Sequence, residues 1–231
     1  MKRIVILMSV YNGGKYLEEQ LLSIIQQDIR KIEGYSVELC IRIDGSVDDS
    51  EELIECFADK IPINLYVEDN IGPAKSFWRL LSLAPEADYY AFADQDDFWF
   101  SDKLRRAIVC INNSNAKIPQ LYCSAVEVVD KDLKPIATKT TPKFTDFPHA
   151  LICSLTVGCT FVFNREALLK AKEYDINANF VEMHDWLLHK IISMVGSVHY
   201  KKSLTFPERF ARIPLADKSI RTIGAAGSAS A

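Results

Sequence analysis

The sequence predicts an α/β fold with a mostly parallel central sheet and helices on both faces. Two observations carry this. Short runs of strand length are continuously apolar, the pattern of strands buried on both faces. Each of the first three is followed by a segment with helical periodicity, and strand–helix alternation implies parallel strands joined by right-handed crossovers.

The elements follow in order. "IVILMSV" (Ile4 to Val10) reads as the first strand. Its basic start, "MKR", resembles a secretion signal, but the apolar run ends at Val10 and meets "YNGGKY", with no small-residue cleavage site. The next segment places Leu17, Leu21, Ile24 and Ile25 on one helical stripe. "VELCIRI" is a second strand, "EELIECFADK" a helix, "INLYVE" a third strand, and "GPAKSFWRLLSL" a helix with Pro73 in its first turn. "DYYAFA" is the fourth strand. Beyond about residue 113 the alternation loosens. "QLYCSAVEVVD" and "VGCTFVFN" read as strands separated by a polar segment from Lys131 to His149. "EMHDWLLHKIISMVG" reads as a helix with Met183, Trp186, Leu187, Ile191 and Met194 on its apolar stripe. A single domain is expected over 1–223, divided into 1–113 and a smaller second half, 114–223. The small-residue tail 224–231 is expected to be disordered.

Composition narrows the function. A formal net charge of −4, with no run of Lys or Arg, argues against a nucleic-acid binder. No apolar run approaches the roughly 20 residues a membrane helix needs. The six cysteines form no CxxC pair and sit mostly in apolar stretches, which favours free thiols in a reducing cytoplasm.

Ligands of open α/β sheets bind beyond the carboxyl ends of the strands. Three polar turns fall on that rim: "YNGGK", "DGSVDD" and "DQDD". The last sets Asp94, Asp96 and Asp97 together directly after an apolar strand. Like charges so close repel, so the cluster calls for a cation, and a divalent metal suits carboxylate oxygens. The alternative is a polar strand exit that caps the next helix, a task Ser101 or Asp102 performs equally well. Neither the dinucleotide G-x-G-x-x-G nor the P-loop pattern is present. Paired aspartates do not follow the first strand, as an aspartyl-phosphate phosphatase requires, and the Gly-rich, Arg-containing loop of a nucleotidyltransferase is missing.

These residues resemble the family 2 glycosyltransferases of the GT-A fold. The similarity lies in "VILMSVYNGGKYLEEQLLSIIQQ", "IRIDGSVDDS", "DNIGPAKSF", "DYYAFADQDDFWFSDKL" and "MHDWLL", in order over about Ile4 to Val198. The wording "DQDD" and "MHDW" is most similar to bacterial rhamnosyltransferase-type members. The resemblance implies an inverting, Mg- or Mn-dependent transfer from a nucleotide-diphosphate-sugar donor to a glycan or lipid-linked acceptor. It also implies cell-surface polysaccharide synthesis, with possible peripheral contact at the inner membrane face. Tyr11 would flank the nucleobase beside Ser9, Asp44 would hydrogen-bond the base, and Asp94 would lie near the ribose or metal. Asp96 would ligate the metal, Lys75 would approach the diphosphate unless it is a solvated helix lysine, and Asp185 would be the general base. Asp185 equally suits a helix N-terminus, and Trp99 and Trp186 suit either a sugar pocket or the core. The family's first aspartate in the second turn is Ile43 here. An Arg-x-His near the C-terminus is also missing, leaving Arg209 and Arg212 as candidates and His199 too early. The alternative is a catalytically silent relative that binds nucleotide-sugar or a partner glycosyltransferase.

Overall fold

The computed structural model describes residues 1–129, 134–139, 144–154, 156–174, 183–201 and 211–214. Strands β1 (Lys2–Val10), β2 (Tyr35–Asp44), β3 (Ile63–Glu68) and β4 (Tyr89–Ala93) are mutually parallel in the order β4-β1-β2-β3. The interleaved helices are α1 (Leu17–Ile25), α2 (Ser50–Glu55) and α3 (Pro73–Leu83). All four predicted strands and three helices of the first half are present, and the mostly parallel α/β fold is as expected.

The sheet divides the core in two. Ile4, Ile6 and Met8 of β1 pack on one face with Leu17, Leu21 and Ile24. Val5 and Leu7 pack on the other with Phe77, Leu80 and Leu81 of α3. Successive strand side chains point to opposite faces, so a continuous apolar run supplies both cores at once.

Past β4 come the short β5 (Phe98–Trp99) and helix α4 (Lys103–Asn112). Asp102 occupies the N-cap position of α4 without a capping hydrogen bond; it pairs with Arg106 at 2.6 Å instead. The stretch expected as one strand from Gln120 divides at Ala125. β6 (Gln120–Ser124), buried along its whole length, joins the main sheet, while β7 (Val126–Val129), buried only at its ends, joins a second sheet. "VGCTFVFN" forms a 3-10 turn, Gly158–Thr160, before the short β9 (Val162–Asn164), which runs antiparallel between β4 and β6.

The second half also holds β8 (Pro135–Lys139), α5 (Phe147–Ile152), α6 (Arg165–Lys172), α7 (His184–Val195), β10 (Ser197–Lys201) and β11 (Ala211–Pro214). The main sheet therefore reads β10-β6-β9-β4-β1-β2-β3, and the small one β5-β11-β7-β8.

Helix α7 corrects the expected stripe. Its buried residues are His184, Leu188, His189, Ile191 and Ile192, whereas Met194 is half exposed and Trp186 and Leu187 are only partly buried. Two histidines thus occupy inward positions that a reading by hydrophobicity assigns to apolar neighbours. Trp99 is a core residue. Cys40, Cys123 and Cys159 are buried, and all six cysteines are free thiols. No helix among the described residues is long and apolar enough to cross a membrane. The tail 224–231 and Arg209 lie outside the described residues.

The turn after β2 depends on glycine. Gly45 has φ +73°, and a Cβ there would lie 2.8 Å from the backbone nitrogen of Asn70. Gly34 also has positive φ, at +90°, but faces open space. Gly45→Ala is expected to cost about 2–4 kcal/mol, combining backbone strain with a displaced neighbouring loop. Gly34→Ala is expected to cost about 1 kcal/mol, the strain alone. Urea unfolding midpoints of the two variants check the difference.

Candidate functional site

The carboxyl ends of β1, β2 and β4 open into a cavity of about 410 Å³. Ser9, Tyr11, Asp44, Asn70, Gly72, Phe77, Asp94 and Asp96 are among its walls. Five of the residues singled out from sequence therefore converge: Tyr11, Asp44, Asp94 and Asp96 by the rim argument, and Ser9 by the resemblance. Asp97, also expected on the rim, is not among the described wall residues. Lys75 is exposed in the first turn of α3 and is not among the described residues of the wall. Asp185, on α7, is not among the described residues of the wall either, but its charge raises Asp94 from nearby.

The first and second turns are laced together. The Asn12 amide donates to Ser46 Oγ at 3.0 Å, and Asn12 Oδ1 accepts the Val47 amide at 3.0 Å. Gly14 donates to Asp48 Oδ2 at 3.0 Å. Gln95, the uncharged member of "DQDD", clamps the peptide of Tyr11. Its Oε1 accepts the Tyr11 amide at 2.8 Å, and its Nε2 donates to the Tyr11 carbonyl at 3.1 Å. The clamp holds the β1 end against the β4 end while leaving the Tyr11 ring about half exposed.

Asp44 is buried and heavily engaged. Oδ1 accepts from Arg42 Nη1 and from the Ile71 amide at 2.8 Å, and Oδ2 accepts the Gly72 amide at 3.0 Å. Arg42, fully buried, also donates to Ser76 Oγ (2.9 Å), the Asp69 carbonyl (2.6 Å) and Glu68 Oε2 (2.8 Å). Ser76 Oγ in turn lies 2.5 Å from Ser9 Oγ. Arg79 and then Arg42 hold the Glu68 carboxyl down at about 2. Sequence reasoning missed Arg42. The available signal was an arginine between two isoleucines in a strand read as buried, which must find partners there.

The β4 exit is the reverse case. Burial, then Asp96, then Asp185 push the Asp94 carboxyl up to about 7. Burial also raises Asp96. Asp97 is driven far up by burial and by Asp94 and Asp96. Among the described residues its carboxylate meets no nitrogen or oxygen donor, only the Cys159 thiol. The nearby cation, Lys103, is buried, donates to the Cys159 carbonyl and sits 3.3 Å from the Trp99 ring centroid. Burial draws its ammonium down to about 7 against the pull of Asp97 and Asp94.

Three carboxylates against one confined ammonium fit a divalent cation, and hard oxygen donors suit Mg²⁺ or Mn²⁺. Asp94, Asp97 and Cys159 also cluster within 4.8 Å. However, burial holds the Cys159 thiol protonated, so that trio is a poor hard-ion set. Asp94 and Asp96, which face the cavity, are the better pair.

Asp185 is oriented on both oxygens. Oδ2 accepts the Gly158 amide at 3.0 Å and Oδ1 the Trp186 amide at 2.7 Å. A Cβ on Gly158 would lie 2.9 Å from Asp185 Cβ, so glycine permits this approach. His184 stacks on Phe77 with centroids 3.9 Å apart, and burial lowers its pKa to about 4. Trp186 donates to the Ala150 carbonyl at 2.6 Å, a structural bond. In the small sheet, β11 brings Arg212 into register with Phe98, directly after "DQDD". His199 bonds Gln120 on the sheet's far edge.

The fold and crevice define the GT-A class of nucleotide-sugar folds. The glycosyl transferase family 2 pattern matches residues 5–170, and the chain belongs to that family. It is 32% identical over 192 residues to the dTDP-rhamnosyl transferase RfbG of Shigella flexneri, covering 79% of this chain and 63% of that protein. The S. aureus TarS structure with UDP-GlcNAc superposes with TM-score 0.67 at 22% identity, covering 94% of this chain and 59% of that one. The Pyrobaculum calidifontis mannosyltransferase PcManGT, in complex with GDP-Man and Mn²⁺, gives 0.65 at 17% identity, over 94% and 58%. The chain thus spans about six tenths of the length of these relatives.

The charge at β4 generates a pH prediction. A carboxyl with a raised folded pKa stabilises the fold while protonated, and that contribution is lost as pH rises from about 4 to about 7. His184, lowered to about 4, contributes the opposite slope between about 4 and 6.5. Comparison with a variant cancels this second slope. Without metal, Asp94→Asn is expected to gain on the parent by about 1–3 kcal/mol across pH 4 to 7. Chemical unfolding in EDTA at several pH values measures the gain.

Proposed function

We propose that the chain binds a nucleotide-diphosphate-sugar and transfers the sugar, with inversion, to a hydroxyl of a glycan or lipid-linked acceptor. The observation that carries this is the convergence of Asp44 and the Asp94–Asp96 pair on one cavity, with the Asp185 charge close enough to raise Asp94.

Tyr11 flanks the base and Asp44 accepts a hydrogen bond from it, with Ser9 beside them. Asp94 lies toward the ribose, and Asp96, assisted by Asp94, would hold Mg²⁺ or Mn²⁺ against the diphosphate. Such an ion neutralises charge that develops on the leaving nucleoside diphosphate. The Mn²⁺ in the PcManGT complex supports this assignment. Lys75 is exposed, which supports a solvated role over a diphosphate contact. Arg212 stands in the segment nearest the motif as a candidate for the missing histidine.

Asp185 acts as general base. The Gly158 and Trp186 amides fix its carboxylate, and its free lone pairs accept the proton of the attacking hydroxyl. Rhamnose as the sugar is supported by the likeness to the Shigella dTDP-rhamnosyl transferase.

The test is Asp185→Asn, assayed with Mn²⁺ for dTDP release from dTDP-rhamnose, the sugar passing to water or to an added glycan acceptor. Loss of a general base costs about 10²–10⁴-fold in kcat, with donor affinity retained. A variant that turns over normally but melts earlier returns Asp185 to a helix-capping role. A parent that binds donor yet transfers nothing supports the catalytically silent alternative.

A further inference from the structure

The fold alone does not choose the nucleobase, since relatives that share it hold UDP-GlcNAc in one case and GDP-Man in another. The choice must come from groups in this chain's own pocket, and Asp44 is the charged group on the base side of the cavity.

A carboxylate offers about four acceptor positions, two on each oxygen. On Asp44, Oδ1 has both filled, by Arg42 Nη1 and the Ile71 amide. Oδ2 has one filled, by the Gly72 amide. One acceptor position remains, and it lies on Oδ2.

Arg42 cannot swing aside to release Oδ1. Its guanidinium is also held by Glu68, Ser76 and the Asp69 carbonyl, and the side chain is buried. The backbone donors are equally fixed. The Asn70 side chain ties the loop to the Asp44 carbonyl at 2.8 Å, just before Ile71 and Gly72.

The bases differ in what they present to such an acceptor. Uracil and thymine offer a single imino N–H between two carbonyls. Guanine offers an imino N–H beside an amino N–H, a pair that needs two free carboxylate oxygens. Cytosine and adenine set an acceptor nitrogen beside their amino group, which a carboxylate repels.

We propose that Arg42 is a specificity-determining residue: by saturating Oδ1 of Asp44 it leaves one acceptor position, so the pocket takes uridine or thymidine diphosphates and turns away guanosine diphosphates. This rests on the proposed placement of the base against Asp44.

The test is calorimetric titration of the full chain with UDP, dTDP and GDP in the presence of Mn²⁺, repeated with Arg42→Lys and Arg42→Met. The parent is expected to bind UDP and dTDP on the order of tenfold to hundredfold more tightly than GDP, the discrimination of one unpaired donor at a charged group. Arg42→Lys keeps the charge but replaces a planar fork with a movable point donor. It is expected to shrink the ratio to within a fewfold. GDP binding as tightly as UDP in the parent overturns this inference and leaves the proposed function standing. A folded variant that weakens all three ligands equally also overturns it, because Arg42 then only supports the loop. Should both variants fail to fold, the parent ratio decides. Absence of binding by all three overturns the proposed function and this inference with it.

Discussion

The site depends on a charge imbalance at the end of β4. Three carboxylates leave an apolar strand within four residues, and the buried cation beneath them, Lys103, is confined by the Cys159 carbonyl and the Trp99 face. Left alone, such a cluster protonates or spreads apart. Here it is held together. The Gln20 side chain donates to the Asp94 carbonyl at 3.0 Å, Gln95 clamps Tyr11, and Trp99 anchors the following strand in the core. The surrounding core thus maintains a local arrangement that is unfavourable by itself, as functional sites commonly require.

The two ends of the crevice treat buried charge in opposite ways. At the β2 end, Asp44 is matched by Arg42 and by two amides, and Glu68 is matched by Arg79 and Arg42. A buried pair with this many hydrogen bonds specifies geometry more than it adds stability. At the β4 end the carboxyls lack such partners, and burial raises Asp94, Asp96 and Asp97. In the proposed function, a nucleoside diphosphate with its cation complements both at once: a hydrogen-bonding base for the satisfied end and positive charge for the unsatisfied end. Asp185, fixed by Gly158, then lies near enough to Asp94 to share its field.

Much of this was legible in the sequence because the first half obeys simple rules. β1 to β4 are apolar runs of strand length, and parallel topology alone sends their following turns to one rim. That placed Tyr11, Asp44 and the Asp94–Asp97 cluster on one rim, whereas Ser9 came from the family resemblance; Asp97 proves to be buried and not among the described wall residues. The second half was harder for physical reasons. β6 and β7 read as one strand because the chain changes sheets at Ala125 with no glycine or proline to mark it. The buried face of α7 includes His184 and His189, which polarity scales place outside. Helix α6 did carry a signal that went unread, Asn164 as N-cap accepting the Ala167 amide at 3.0 Å. Arg42 was hidden because three of its four partners, Glu68, Asp69 and Ser76, come from distant positions in the chain; Asp44 alone is close, two residues on in the same strand.

The central claim is that Asp94, raised by burial and by Asp96 and Asp185, gives up its proton when a cation binds beside Asp96. Proton release on Mn²⁺ binding, with UDP or dTDP present, tests it most directly. Calorimetry slightly below neutral pH, in buffers of differing ionisation enthalpy, reports the number released. Release of about one proton, lost in Asp94→Asn, is the result this account predicts. Mn²⁺ binding without proton release, or nucleotide binding indifferent to Mn²⁺, would contradict it.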